Sequence, residues 1–234
     1  MSGPVALLGA DEFLPAVAAL DAELLAASGR PRPRVVILPT ASAPDGEEVF
    51  QRWAAMGIAH FEALGAEVEA VLVHDRLEAD DPASVQAVAE ADLVYLSGGD
   101  PAHLMRSLAG SAVWAAALAV HARGGVLAGC SAGAMVLCER QAVLRRPPHL
   151  PLRYMRALGV VPGVAAFPHY EKIPEPLTAL MIAPAPRGTT ILGLDEGTAA
   201  ISRDGSWVVR GRGRVTVWRG RQRVRYRDGE TFRL

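Results

Sequence analysis

The chain has few cysteines, a single lysine and almost no net charge. Its 234 residues contain only two cysteines, Cys130 and Cys138, and their spacing is not that of a metal site. This usage argues against a disulfide framework and is typical of a reducing compartment. The formal net charge of −1 gives no reason to expect nucleic acid or a membrane surface as a partner.

Long apolar runs and a basic N-terminal region are also missing. No apolar run approaches the ~20 residues that a membrane-spanning helix needs. Residues 1–9 have the pattern of a first buried strand and not of a signal peptide. We therefore expect a cytoplasmic protein without a membrane partner. The length and the 50% hydrophobic content predict a single α/β domain over residues 1–234.

Short apolar segments alternate with Ala/Leu-rich segments through the first two thirds of the chain. Because these apolar segments do not alternate with polar residues, they favour a parallel sheet covered by helices on both faces. The first helix is predicted over residues 12–28. After Pro-rich loops at 147–148 and 168–186, five short strands follow, separated by Asp-Gly and Arg-Gly turns. We expect these last strands to be antiparallel and to extend the edge of the main sheet.

Ten arginines fall within residues 203–233, which is one signature of a nucleic-acid surface. However, residues 223–227 alternate arginine with valine and tyrosine. That alternation is typical of a strand with one solvated face, so we predict no nucleic-acid partner.

The most informative segment is Gly-Cys-Ser-Ala-Gly at residues 129–133. It follows an apolar strand and precedes an apolar helical segment, which is the context of a nucleophile elbow with Ser131 at its apex. The Ala132 N–H would be one oxyanion donor, and Gly99, in the Gly-Gly turn after the fourth strand, is the candidate for the second. Gly-x-Ser-x-Gly also occurs by chance in glycine-rich chains. We expect Cys130, one residue from the apex, to be buried and inert.

A serine nucleophile needs a base and an acid that orients it. His169 follows an apolar run and so lies at the carboxyl end of a strand-like segment, where α/β sheets place their sites. Glu171 and Glu196 compete as the acid. An acid from the last strands follows the histidine, and this order excludes an α/β-hydrolase. The other histidines are on predicted helices or in loops: His60, His74, His103, His121 and His149.

Five segments, in this order, resemble the peptidase E and cyanophycinase family of serine peptidases. The resemblance covers the chain from the first strand to about residue 201; the segments are residues 97–100, 129–134, 158–164, 168–170 and 194–199. It implies a three-layer α/β/α sandwich related to class I glutamine amidotransferases, with serine in place of their cysteine.

The resemblance implies Ser131 as nucleophile and His169 as general base. The cyanophycinase-like branch takes its acid from the last of these segments, which gives Glu196 here. Bacterial peptidase E takes an aspartate shortly after the serine, and residues 139–146 contain none. Glu171 stays as the alternative acid.

The resemblance also implies a serine exopeptidase that acts on short peptides and needs no cofactor or metal. Peptidase E accepts peptides with an N-terminal aspartate, and a carboxylate needs a cation, for which Lys172, Arg153 and Arg156 are candidates. We expect Asp100 and Tyr170, which end two of these segments, to contact the peptide as well. The arginines that suit cyanophycin are absent from residues 171–176. The alternatives are a cyanophycinase-like hydrolase of β-aspartyl-arginine peptides, a glutaminase-like amidohydrolase and a non-catalytic binding module. We also allow for a homodimer.

Overall fold

The computed structural model describes residues 2–143 and 152–234. The predicted loop at Pro147–Pro148 and the candidate His149 lie outside this part of the chain. Within it, the helices are α1 (Ala18–Ala27), α2 (Glu47–Ala63), α3 (Pro82–Ala89), α4 (Pro101–Leu108), α5 (Ala112–Ala122), α6 (Ala132–Leu137) and α7 (Glu175–Ile182). The strands are β1 (Val5–Leu8), β2 (Arg34–Leu38), β3 (Glu67–Ala70), β4 (Leu93–Leu96), β5 (Val126–Cys130), β6 (Cys138–Ala142), β7 (Tyr154–Arg156), β8 (Val161–Phe167), β9 (Thr190–Leu194), β10 (Thr198–Arg203), β11 (Ser206–Gly211), β12 (Val215–Arg219), β13 (Gln222–Tyr226) and β14 (Thr231–Phe232).

The main sheet has eight strands in the order β14-β11-β10-β1-β5-β4-β2-β3. The five strands from β1 to β3 in this order are parallel, and β10, β11 and β14 are antiparallel additions beyond β1. Successive residues of a strand point to opposite faces, and both faces are apolar here. The fold class predicted from the sequence, an α/β fold with a mostly parallel sheet, is confirmed.

Helices cover both faces of the main sheet. On one face, Leu24 of α1 and Phe61 of α2 pack against strand residues such as Ile37. On the other face, Leu104 of α4 packs with Leu96 of β4 and with residues of α3, α5 and α6. This arrangement is the three-layer α/β/α sandwich that the resemblance implied.

A second, six-stranded sheet, which was not predicted, follows the order β13-β12-β9-β8-β6-β7. The expectation that all the last strands extend the main sheet is therefore wrong for β9, β12 and β13. β9 pairs in parallel with β8, and β12 pairs antiparallel with β9. An apolar run predicts a strand but not the strand with which it pairs, because the hydrogen bonds between strands join backbone groups that every residue type carries. The chain passes between the sheets through short connections, one of them residues 195–197.

The first helix starts later than predicted. The pattern indicated a helix from residue 12, but α1 begins at Ala18. Asp11 and Phe13 have φ angles of 67° and 64°, in the left-handed region that a right-handed helix excludes. The buried Glu12 between them points its carboxylate at the Gly98 N–H instead of lying on a helix surface.

The two sheets bring several loops to a common edge. Because β1, β4 and β5 are parallel, residues 9–12, 97–99 and Ser131 all follow at the same end of the main sheet. In the second sheet the parallel strands β8 and β9 likewise end next to His169 and residues 195–196. Over the described ranges, no single helix is long and apolar enough to cross a membrane; only α4 and α5 taken together, which meet at 91°, reach that length and composition.

Candidate active site

Ser131 lies at a sharp turn between β5 and α6. Its φ of 50° and ψ of −109° are strained for a residue with a side chain, at a cost of about 1–3 kcal/mol. The turn closes because two glycines let the backbone segments meet. A Cβ on Gly129 would lie 2.5 Å from the carbonyl carbon of Gly133, and one on Gly133 would lie 2.2 Å from the Leu96 oxygen. The spacing of the motif thus follows from steric contact.

His169 lies beside Ser131 at the end of the second sheet. It follows β8, with a left-handed φ of 50°, and begins a short 3₁₀ turn over Tyr170–Lys172. Its Nε2 is 3.2 Å from Ser131 Oγ, within hydrogen-bond reach. Its Nδ1 is 2.6 Å from Glu196 Oε1. A hydroxyl, an imidazole and a carboxylate therefore form one continuous chain of hydrogen bonds.

The acid in this chain of hydrogen bonds is Glu196 and not Glu171. Glu196 sits in the three-residue connection between β9 and β10. The Glu171 carboxylate accepts the backbone N–H of Glu196 at 3.1 Å, and among the described residues it makes no hydrogen bond to the imidazole. Lys172 Nζ donates to the same Glu196 Oε1 at 2.5 Å. The Lys172 hydrogen bond, and then that of His169, lower the pKa of Glu196 below its usual value.

The expected oxyanion donors are the backbone N–H groups of Gly99 and Ala132. In the described part of the chain, neither the Gly99 nor the Ala132 N–H donates to another group. A Cβ on Gly98 would lie 3.2 Å from Ser131 Cβ, so this loop touches the serine. Gly99 has a φ of 139°, and a Cβ there would lie 2.2 Å from the Ala41 oxygen, so only glycine fits.

The sequence of the chain matches that of a known peptidase family. The model of peptidase family S51 matches residues 8–209. The chain belongs to peptidase family S51. It is therefore a serine-type peptidase.

Solved structures of peptidases share the fold of this S51 chain. A peptidase from an acI-B1 Actinobacterium is 30% identical, with a TM-score of 0.89 over 100% of this chain and 98% of that one. A putative peptidase E protein from Listeria monocytogenes EGD-e is 20% identical, with a TM-score of 0.69 over 91% of this chain and 100% of that one. The second likeness concerns the fold alone. Among curated proteins, no sequence matches.

Asp100, Tyr170 and Lys172 were expected to bind the peptide, but in the structure each of them bonds to another residue of the chain. Asp100 Oδ1 accepts the N–H groups of Ala102 and His103 and caps α4. Tyr170 is buried, and its hydroxyl accepts the Trp218 Nε1–H at 2.8 Å. Lys172 is the cation on Glu196 described above. Of the three, Asp100 and Lys172 remain exposed at the site.

Neither cysteine of this S51 peptidase faces the site. Cys130 is fully buried, and its Sγ donates to Glu12 Oε2 at 3.1 Å. Burial, and then the Glu12 carboxylate, raise the pKa of the Cys130 thiol well above its usual value. Cys138 Sγ donates to the Ala134 oxygen, and burial raises the pKa of that thiol too. Both effects keep the thiols protonated, and the protonated thiol is not the nucleophilic form. Within the described residues, no group of three or more His, Cys, Asp or Glu side chains could hold a metal ion.

Sequence reasoning missed Glu12. The residue is 6% exposed, and its carboxylate lies behind the serine turn, hydrogen-bonded to Gly98 and Cys130. The available signal was its position, directly after the first strand, at the sheet end where the site was expected. An acid after a strand also fits an ordinary turn, so position alone does not single it out.

Proposed function

We propose that this S51 peptidase is an exopeptidase that hydrolyses short peptides through an acyl-enzyme on Ser131. The observation that carries the proposal is the chain of hydrogen bonds from Ser131 Oγ through His169 to Glu196. A serine hydroxyl is a weak nucleophile, and a base within hydrogen-bond reach, itself oriented by an acid, activates it.

In the proposed reaction, His169 Nε2 takes the Ser131 proton as Oγ attacks the scissile carbonyl carbon. Glu196 accepts the Nδ1–H and stabilises the imidazolium that forms. The Gly99 and Ala132 N–H groups hold the oxyanion of the tetrahedral intermediate, each contributing about 3 kcal/mol. His169 then protonates the leaving amine, and the C–N bond breaks to give an acyl-serine and a free amine. Water, deprotonated by His169, hydrolyses the ester and restores Ser131.

The proposed substrates are dipeptides and tripeptides with aspartate at the N-terminus. A side-chain carboxylate on the substrate needs a cation, and two exposed cations lie beside Glu196. One is Lys172, which pairs with Glu196, and the other is Arg212, which pairs with Asp11 and whose Nε would lie 2.7 Å from a Cβ on Gly197. The solved structure from Listeria that shares the fold is called a putative peptidase E protein, which fits this substrate class. The sparse, buried and unpaired cysteines suit the cytoplasm, where we place the reaction.

The test is hydrolysis of a dipeptide and tripeptide library by the purified protein and by Ser131→Ala. We expect cleavage that favours Asp-X over the matched Asn-X peptides, and no cleavage by the variant at unchanged thermal stability. Stoichiometric labelling of Ser131 by a serine-directed phosphonate would argue against a non-catalytic binding module. Full activity of Ser131→Ala, or ammonia released from free glutamine in place of peptide cleavage, contradicts the proposal.

A further inference from the structure

Glu12 is a carboxylate that the proposed reaction does not use, although it lies directly behind the nucleophile. Its Oε1 accepts the Gly98 N–H at 2.8 Å, and its Oε2 accepts the Cys130 thiol at 3.1 Å. One carboxylate therefore bridges the loop after β4 and the residue that precedes Ser131. These two segments carry the serine and the Gly99 N–H.

The backbone holds Glu12 in this position against its local preferences. Asp11 and Phe13, on either side, both have left-handed φ angles. Residues with side chains rarely adopt this conformation, and it persists only where the surrounding structure imposes it. Burial of a carboxylate is unfavourable as well, unless hydrogen bonds replace its water. Two unfavourable features at one residue, next to a catalytic serine, point to a role in the site.

Gly98 lies close to both Glu12 and the serine. A Cβ on Gly98 would lie 2.5 Å from Glu12 Oε1 and 3.2 Å from Ser131 Cβ. Gly98 is buried, so water cannot take over its N–H. Without an acceptor at position 12, this donor is left unpaired, and its peptide turns to find another partner. The Gly99 N–H, one peptide further along, turns with it.

We propose that Glu12 is a positioning residue of the oxyanion hole, which acts through Gly98 to aim the Gly99 N–H at the developing oxyanion. The inference rests on the proposed acyl-enzyme reaction at Ser131. Oxyanion donors stabilise the transition state more than the bound substrate, so loss of the alignment lowers kcat and spares KM. The role requires an oxygen acceptor and not a negative charge, because a charge so close to Ser131 opposes the oxyanion.

The experiment compares Glu12→Met with Glu12→Gln. The two side chains are close in size, but only glutamine keeps an oxygen that can accept the Gly98 N–H. We expect Glu12→Met to lower kcat by about 10- to 100-fold, less than the loss of a whole donor, with KM within about twofold. Affinity for a peptide boronate, which becomes tetrahedral on Ser131, falls by the same factor. Glu12→Gln keeps kcat within about threefold, because its carbonyl oxygen restores the acceptor.

Asp21→Asn is the matched control. Asp21 is also a buried carboxylate of the N-terminal region, but it bonds to His60 Nε2 at 2.8 Å and not to the Gly98 loop. It reports the effect of altering a buried carboxylate on thermal stability, and we expect its kcat to stay within about threefold. A structural role alone would lower stability in both positions without the selective loss of kcat and of boronate affinity.

Three results overturn the inference: kcat of Glu12→Met within threefold of the parent, a loss that falls on KM alone, or an equal loss of kcat in Glu12→Gln. If Glu12→Met does not fold, Glu12→Gln decides, since a tenfold loss of its kcat overturns the inference and parental kcat supports it. Ser131→Ala separates the two proposals. Activity in Ser131→Ala ends the proposed function, whereas an inactive Ser131→Ala beside a fully active Glu12→Met ends only the role of Glu12.

Discussion

The two sides of the site are built by different kinds of contact. On the nucleophile side (residues 97–99 and 129–133), an added Cβ would lie 2.2–2.5 Å from its nearest neighbour, which is backbone at Gly99, Gly129 and Gly133 and the Glu12 carboxylate at Gly98. On the base side (residues 169–172 and 195–197), charged side chains hold one another, and the His169 side chain is 44% exposed. The first side is fixed by shape and the second by charge. The protein should therefore be sensitive to the size of a substituted side chain on the nucleophile side, and to charge and pH on the base side.

Glu196→Gln should have the largest effect, because it removes the charge that orients His169 and stabilises its cation. We expect kcat to fall by about 10³–10⁴-fold, or roughly 4–5 kcal/mol of transition-state stabilisation. Steady-state hydrolysis of a cleaved dipeptide measures it. Glu171→Gln is the control, because its amide oxygen can still accept the Glu196 N–H, and its kcat should stay within a few fold. An equal loss of kcat in both variants would show that Glu171 and Glu196 contribute equally to orienting His169.

Gly133→Ala tests the nucleophile side. The new methyl group would lie 2.2 Å from the Leu96 carbonyl oxygen, which is backbone and cannot rotate away. We expect the free energy of unfolding to fall by about 3 kcal/mol, at the upper end of overpacking penalties, with loss of activity. Denaturant unfolding measures it. Gly163→Ala, at a glycine with a φ of 71° and open space around it, should lose only about 1 kcal/mol. A Gly133→Ala protein as stable as Gly163→Ala would refute the steric account of the turn.

Lys172→Met should have the smallest effect, and it acts through pH. Lys172 lowers the pKa of Glu196 and shares the oxygen that accepts from His169. Without this cation, the pKa of Glu196 rises, so its carboxylate becomes protonated at a higher pH than in the parent. The proposed reaction needs ionised Glu196, so the acid limb of the kcat/KM profile should move to higher pH.

The pH profile should move by less than about one unit, because Lys172 is 64% exposed and solvent screens it. Added salt should shrink the difference between the variant and the parent. A limb that stays in place, or one that moves to lower pH, would show that Lys172 does not act on the base side.

The sequence predicts much of the nucleophile side because its determinants are local. A strand, a Gly-x-Ser-x-Gly turn and a helix follow one another within residues 126–137, and the glycines mark the close contacts. The placement of His169 was also predictable, since it follows a strand-like run. The acid stayed open between Glu171 and Glu196 on the residues alone, because the choice depends on which loop faces the imidazole.

Distant partners explain what the sequence did not predict. Glu12 and Gly98 are 86 positions apart, and an acid after a strand fits an ordinary turn equally well. The second sheet was not predicted from the sequence for a related reason. β9 and β10 are both short and apolar and lie only a few residues apart, yet they join different sheets. The two strands differ in the strands with which they pair, and not in their local composition.

The passage of the last strands between the two sheets has a consequence for when activity arises during synthesis. β9 belongs to the second sheet, β10 and β11 to the main sheet, and β12 and β13 to the second sheet again. The Val5 N–H pairs with Ser202 Oγ across 197 positions. Contacts of such high sequence separation form late in folding. For the proposed reaction, a growing chain therefore presents Ser131 before His169 and Glu196 are held in place, and we expect hydrolysis to begin only as the final strands dock.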